Sequence, residues 1–87
     1  EELRYIKSYG LESDKTEVIC QALVGSEDFE IISNGALIMA NNSKLYSFDP
    51  AVSSSWTEDL DLSEFGISDI SRLAYRHGRL VMVSNKQ

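Results

Sequence analysis

A short motif occurs twice in this chain. The first copy runs from Asp28 through Gly35 and Met39 to Asn42, and the second from Asp69 through Gly78 and Met82 to Asn85. Gly35 to Gly78, Met39 to Met82 and Asn42 to Asn85 are each 43 residues apart, and Asp28 to Asp69 is 41. The two-residue difference falls between the acid and the glycine, where a turn absorbs it. A period of roughly 40–45 residues with several short strands per unit is the mark of a β-propeller blade. A blade does not bury both faces alone. The repeat therefore calls for a larger protein around this segment, or for a partner.

The strands are read from local pattern. The stretch 1–9 is a strand or a short helix, and Thr16 to Val24 is β-branched and apolar, a strand. Phe29 to Ile32 is a short strand, followed by Asn34-Gly35, a pair that favours a tight hairpin turn with positive φ. Ala36 to Ala40 is a nearly continuous apolar run, as expected of a strand buried on both faces. Lys44 to Phe48 alternates, Asp49-Pro50 ends it, and Trp56 to Leu62 forms a fourth, outer strand. Leu62 to Phe65 fits one helical turn. Asp69 restarts the pattern, with a turn at Arg76-His77-Gly78 and the apolar strand Leu80 to Val83. The expected fold class is all-β: about one and a half four-stranded propeller blades. They lie in a single β-rich segment 1–87, with repeats at about 28–68 and 69–87 and an N-terminal strand belonging to a preceding blade.

Composition narrows function. Eight basic residues against fourteen acidic ones give a net charge of −6, which argues against a nucleic-acid ligand. No apolar run approaches the roughly 20 residues of a membrane helix. Cys20 is the only cysteine. It cannot staple the chain or build a structural zinc site, and its apolar neighbours suggest a buried thiol. No Gly-x-Ser-x-Gly elbow or phosphate loop is present. His77 stands in a turn, where exposure to solvent is expected. Trp56 and Tyr46 read as packing residues.

One string carries more specific chemistry. Gly25-Ser26-Glu27-Asp28-Phe29-Glu30-Ile31 places three carboxylates in four positions after a strand. Hard cations take several oxygen ligands, and two acids do not complete a shell. On residues alone, Asp28 caps an inter-blade turn, as Asp69 does in the next copy, and Glu27 and Glu30 are solvated.

GSEDFEIISNGALIMA also resembles the N-terminal motif of the paraoxonases, approximately GSEDxEIxxNGxAFIS. KLYSFDP and WTEDLDL fit the first blade of that family more loosely. The resemblance covers most of the chain from about Cys20 onward, and only about a quarter of a paraoxonase. It implies a six-bladed propeller with two calcium ions in its tunnel, hydrolysing lactones or aryl esters. Glu27 would then ligate the catalytic calcium and Asp28 the structural one. A secreted or lumenal location also follows. The family's His-Gly-Ile-Ser element is replaced here by Ser68-Asp69-Ile70-Ser71, and its histidine role does not transfer to His77. Cys20 is a rough counterpart of a family cysteine that bonds near the C-terminus. Gluconolactonase-type propellers share the blade pattern.

The expectation is a fragment of such a calcium-dependent hydrolase, not an enzyme by itself and a poor calcium binder alone. The alternative is a non-catalytic propeller engaging a protein partner. In either case the apolar strands Ala36 to Ala40 and Leu80 to Val83 would need neighbours. These would be the rest of the propeller, or another chain.

Overall fold

The computed structural model describes residues 3–26, 28–32 and 34–85. Among the described residues eight strands follow one another: β1 Tyr5–Tyr9, β2 Thr16–Gln21, β3 Phe29–Ile31, β4 Leu37–Asn41, β5 Lys44–Phe48, β6 Thr57–Asp61, β7 Ile70–Arg76 and β8 Arg79–Ser84. A single 3-10 turn, Ser63–Phe65, links β6 to the next strand. The chain is all-β. It forms three antiparallel sheets, ordered β1-β2, β3-β4-β5-β6 and β7-β8.

β4 holds the three sheets together. Side chains alternate between the faces of a strand. Leu37 and Met39 pack on one side with Ile6 and Phe48, joined by Cys20, Ala22, Leu23 and Trp56. Ala40 packs on the other side with Leu45, Leu62, Ile70 and Leu73, and Ile38, Leu80 and Met82 join that cluster. The expected lack of cover for Ala36 to Ala40 is therefore corrected: Ala36, Leu37, Met39 and Ala40 are each at most 5% exposed. The β1-β2 hairpin covers one face of the central sheet and the β7-β8 hairpin the other. Leu80 to Val83 does leave one face open, with Val81 61% and Val83 50% exposed.

The repeat extends further than the motif. The N-terminal contribution is two paired strands, not one. In β1-β2, Ile6 pairs with Cys20 and Lys7 with Val18, leaving Ile19 as a bulge. In β5-β6, Leu45 pairs with Leu60 and Tyr46 with Glu58, leaving Asp59 as a bulge. The Ala22 N–H donates to the Arg4 carbonyl at 2.8 Å, and the Leu62 N–H donates to the Ser43 carbonyl at 2.8 Å. A bulge at the same place and the same closing hydrogen bond make β1-β2 the counterpart of β5-β6. Likewise β7-β8 is the counterpart of β3-β4, since Leu73 pairs with Met82 as Phe29 pairs with Met39. The molecule is a half unit, a whole unit and a half unit.

The pairing also corrects the assignment of the acids. The counterpart of Asp28, which precedes Phe29, is Arg72, which precedes Leu73. Asp69 corresponds instead to Gly25, and the two residues share a left-handed backbone, φ 52° and 88°. The copies differ in length by one residue, which lies in the hairpin turn: Phe29 to Gly35 is six steps and Leu73 to Gly78 five. The turns differ from expectation as well. His77 and Gly78 take φ 51° and 76° between paired Arg76 and Arg79, the two-residue turn that suits twisted hairpins. At the Asn34-Gly35 turn, only Gly35 has positive φ among the described residues, and its N–H closes onto the Ile32 carbonyl at 2.9 Å.

Truncation tests this arrangement. Leu37→Ala leaves a cavity between two sheets and should cost about 2–5 kcal/mol. Val81→Ala, on the open face, should stay within about 0.5 kcal/mol. Urea unfolding compares them, and equal effects would show that β4 is not the shared core.

Candidate functional site

The acid motif lies where β2 gives way to β3. Gly25 supplies the left-handed turn, and a Cβ there would already stand 3.4 Å from the Asn41 side-chain nitrogen. Asn41 itself donates from Nδ2 to the Val24 carbonyl at 2.9 Å. Ser26 follows, 3% exposed, with a hydroxyl that has no hydrogen-bond partner among the described residues. Glu27 lies outside the described residues. Asp28 is half-buried and uses both carboxylate oxygens: Oδ1 accepts from the Phe29 N–H at 3.0 Å, and Oδ2 accepts from the Leu73 N–H at 2.8 Å. The second bond crosses from the central sheet to β7. Asp28 is thus a bracket between consecutive sheets. Asp69 contributes through its backbone: its N–H donates to Asn42 Oδ1 at 3.0 Å, and its carbonyl accepts from Asn85 Nδ2 at 3.0 Å.

A calcium shell needs six to eight oxygens. Asp28 already accepts two amide hydrogens. Among the described residues no group of three or more His, Cys, Asp or Glu side chains converges.

Two further places have chemistry of their own. A groove of about 430 Å³ runs between the end of β2 and the β5-β6 loop, lined by Cys20, Ala22, Leu23, Phe48 and Trp56. Trp56 Nε1 donates to the Gln21 carbonyl at 2.9 Å, and its ring lies 5.5 Å from that of Phe48. Cys20 is a half-buried free thiol whose pKa is raised by burial, which disfavours the nucleophilic thiolate. On the outer edge, β6 is exposed throughout and carries Glu58, Asp59 and Asp61. The Asp61 carboxyl is held below the usual carboxylate range, first by the Ser63 backbone N–H and then by the Ser43 hydroxyl. His77 is exposed in its turn.

The residues alone make Asp28 a turn cap and the resemblance makes it a calcium ligand; neither points to Leu73, whose N–H it accepts. A carboxylate beside a strand does not reveal which amide of a later strand it will meet. No protein-family model matches the chain, nor does any curated protein or solved structure.

Two measurements follow. Asp28→Asn turns one acceptor into a donor facing an amide and should destabilise by about 1.5–3 kcal/mol. The loss should be the same in calcium and in chelator, whereas a loss seen only with calcium would make Asp28 a ligand. Asp61 has a depressed folded-state pKa, so its stabilisation is complete above its unfolded value and is lost as pH falls through the folded one. Carboxyl NMR should show its midpoint below that of an ordinary aspartate, and Asp61→Asn should remove that part of the acid sensitivity. A midpoint at the ordinary value would dismiss the Ser43–Asp61–Ser63 contact.

Proposed function

We propose that this chain is a structural and binding segment of a β-propeller, with blade-like sheets stacked face to face and no reaction centre of its own. The observation that carries this reading is the Asp28 carboxylate. The residue that would be a metal ligand is used to fasten one sheet to the next. The four-stranded meander, its half-unit counterparts on either side and the two-faced burial of β4 agree with a radial repeat. Function then lies on loops and open faces that engage a protein partner.

The competing reading is the calcium-dependent hydrolase of lactones or aryl esters, with Glu27 and Asp28 as calcium ligands. It rests on the acid motif. It also lacks the family's histidine, since Ser68 and Asp69 stand where the His-Gly pair would be.

The intact protein should not hydrolyse phenyl acetate or a γ-lactone in the presence of calcium. Its unfolding midpoint should be the same with calcium and with chelator. Calcium-dependent turnover abolished by Glu27→Gln would replace the binding reading with the enzymatic one.

A further inference from the structure

We propose that the two ends of this molecule are complementary halves of one sheet, and that the open edge of β8 pairs antiparallel with the open edge of β1 in a second copy of the chain. In the central sheet β4 pairs with β5. β8 is the counterpart of β4, and β1 is the counterpart of β5. Among the described residues β8 pairs only with β7 and β1 only with β2, so each lacks the neighbour that its counterpart has.

The central sheet also supplies the register. Leu37 opposite Phe48, Met39 opposite Tyr46 and Ala40 opposite Leu45 become Leu80 opposite Tyr9, Met82 opposite Lys7 and Val83 opposite Ile6 of the second copy. The faces then agree. Ile6 already packs against the central sheet of its own copy, with Leu37 and Met39. Pairing brings Val81 and Val83 onto that same face, beneath the second copy's central sheet. On the opposite face Tyr9, 54% exposed, takes the position at which Phe48 is 6% exposed. It lands beside Leu80 and Met82. One contact therefore completes a hydrogen-bonding edge and covers Val81, Val83 and Tyr9.

Two independent features favour a second copy as the occupant. Residues 69–87 carry Arg72, Arg76, Arg79 and Lys86 against Asp69, net +3, while residues 1–68 carry thirteen acids against four bases, net −9. The basic end meets an acidic body. The unpartnered Ser26 hydroxyl gains a neighbour too. Ser26 corresponds to Ile70, whose N–H donates to the Asn42 carbonyl at 3.0 Å. Asn85 is the counterpart of Asn42, and docking brings it to Ser26 of the second copy. The β6 edge does not compete, because Glu58, Asp59 and Asp61 repel their own copies.

The contact is heterologous, so it closes into a ring or grows as a filament. Each copy supplies eight strands, two sheets' worth. Ring closure rests on the propeller reading above and gives about two to four copies for about four to eight blades. Edge pairing itself rests only on the repeat.

Sedimentation equilibrium decides it, using the wild-type chain, Tyr9→Lys, and Val81→Lys combined with Val83→Lys. These side chains are exposed in the single copy, and circular dichroism checks that each variant stays folded. The wild type should self-associate, and each variant alone should associate at least about tenfold more weakly. An equimolar mixture of the two variants should form a one-to-one dimer, since each keeps the surface that the other lacks. A folded wild type that is monomeric at every concentration overturns the proposal and leaves the propeller reading standing, with the missing strands coming from elsewhere in a longer chain. Variants that associate as the wild type does, or that fail to complement one another, overturn it as well. Open filaments would support the edge pairing and remove ring closure.

Discussion

The structure depends on one strand that faces two cores. β4 sends Leu37 and Met39 toward the first hairpin, and Ile38 and Ala40 toward the last. A strand in a two-layer sandwich needs apolar residues on one face only. This one needs them on both, which is why 36–40 reads Ala-Leu-Ile-Met-Ala without a polar interruption. Neither hairpin has a core of its own. Two-stranded hairpins are marginal in isolation, so each takes its stability from the central sheet. The charged residues follow from this geometry. β4 itself carries none, while the outermost strand β6 carries Glu58, Asp59 and Asp61.

The brackets are polar for a physical reason. Where one sheet follows another, strand ends leave amide and carbonyl groups that no ladder satisfies. Asp28 and Asn42 supply acceptors to Leu73 and Asp69, and Asn41 and Ser84 donate back to Val24 and Ser68. The Ser84 hydroxyl reaches the Ser68 carbonyl at 2.6 Å, the same service that Asn41 gives Val24 one unit earlier. Side chains of different chemistry occupy equivalent positions because the requirement is a donor of the right reach, not a particular residue.

This explains what the sequence made legible. Strand positions followed closely from alternation and β-branched runs, including β6 with its exposed acids and the 3-10 turn near Phe65. The repeat was legible where apolar residues define it, at Met39 and Met82. It was hidden where residue types and loop lengths differ. Ile19 and Asp59 bulge at the same place, but the first hairpin is one residue shorter, nine steps from Ser8 to Glu17 against ten from Ser47 to Thr57, and most aligned residues differ, so β1-β2 did not read as a copy of β5-β6. The counterpart of Asp28 is Arg72, of opposite charge, and Asp69 three residues earlier offers a false match. The turns misled in a related way. Asn-Gly is the stronger local signal, yet the paired left-handed geometry belongs to His77-Gly78, where two facing strands of full length set the twist.

The acid motif obeys the same constraint. Three carboxylates in four residues suggest a metal when read alone. In the fold, one of them meets two amides that would otherwise be orphaned at the junction of sheets. A carboxylate has lone pairs to spare, so a bracket and a ligand are compatible chemically. What distinguishes them is company. A ligand needs other oxygens converging on one point, while a bracket needs only a strand end within reach. Asp28 has the strand end, supplied by Leu73 across the boundary between two sheets, and that contact exists only because the third sheet repeats the second.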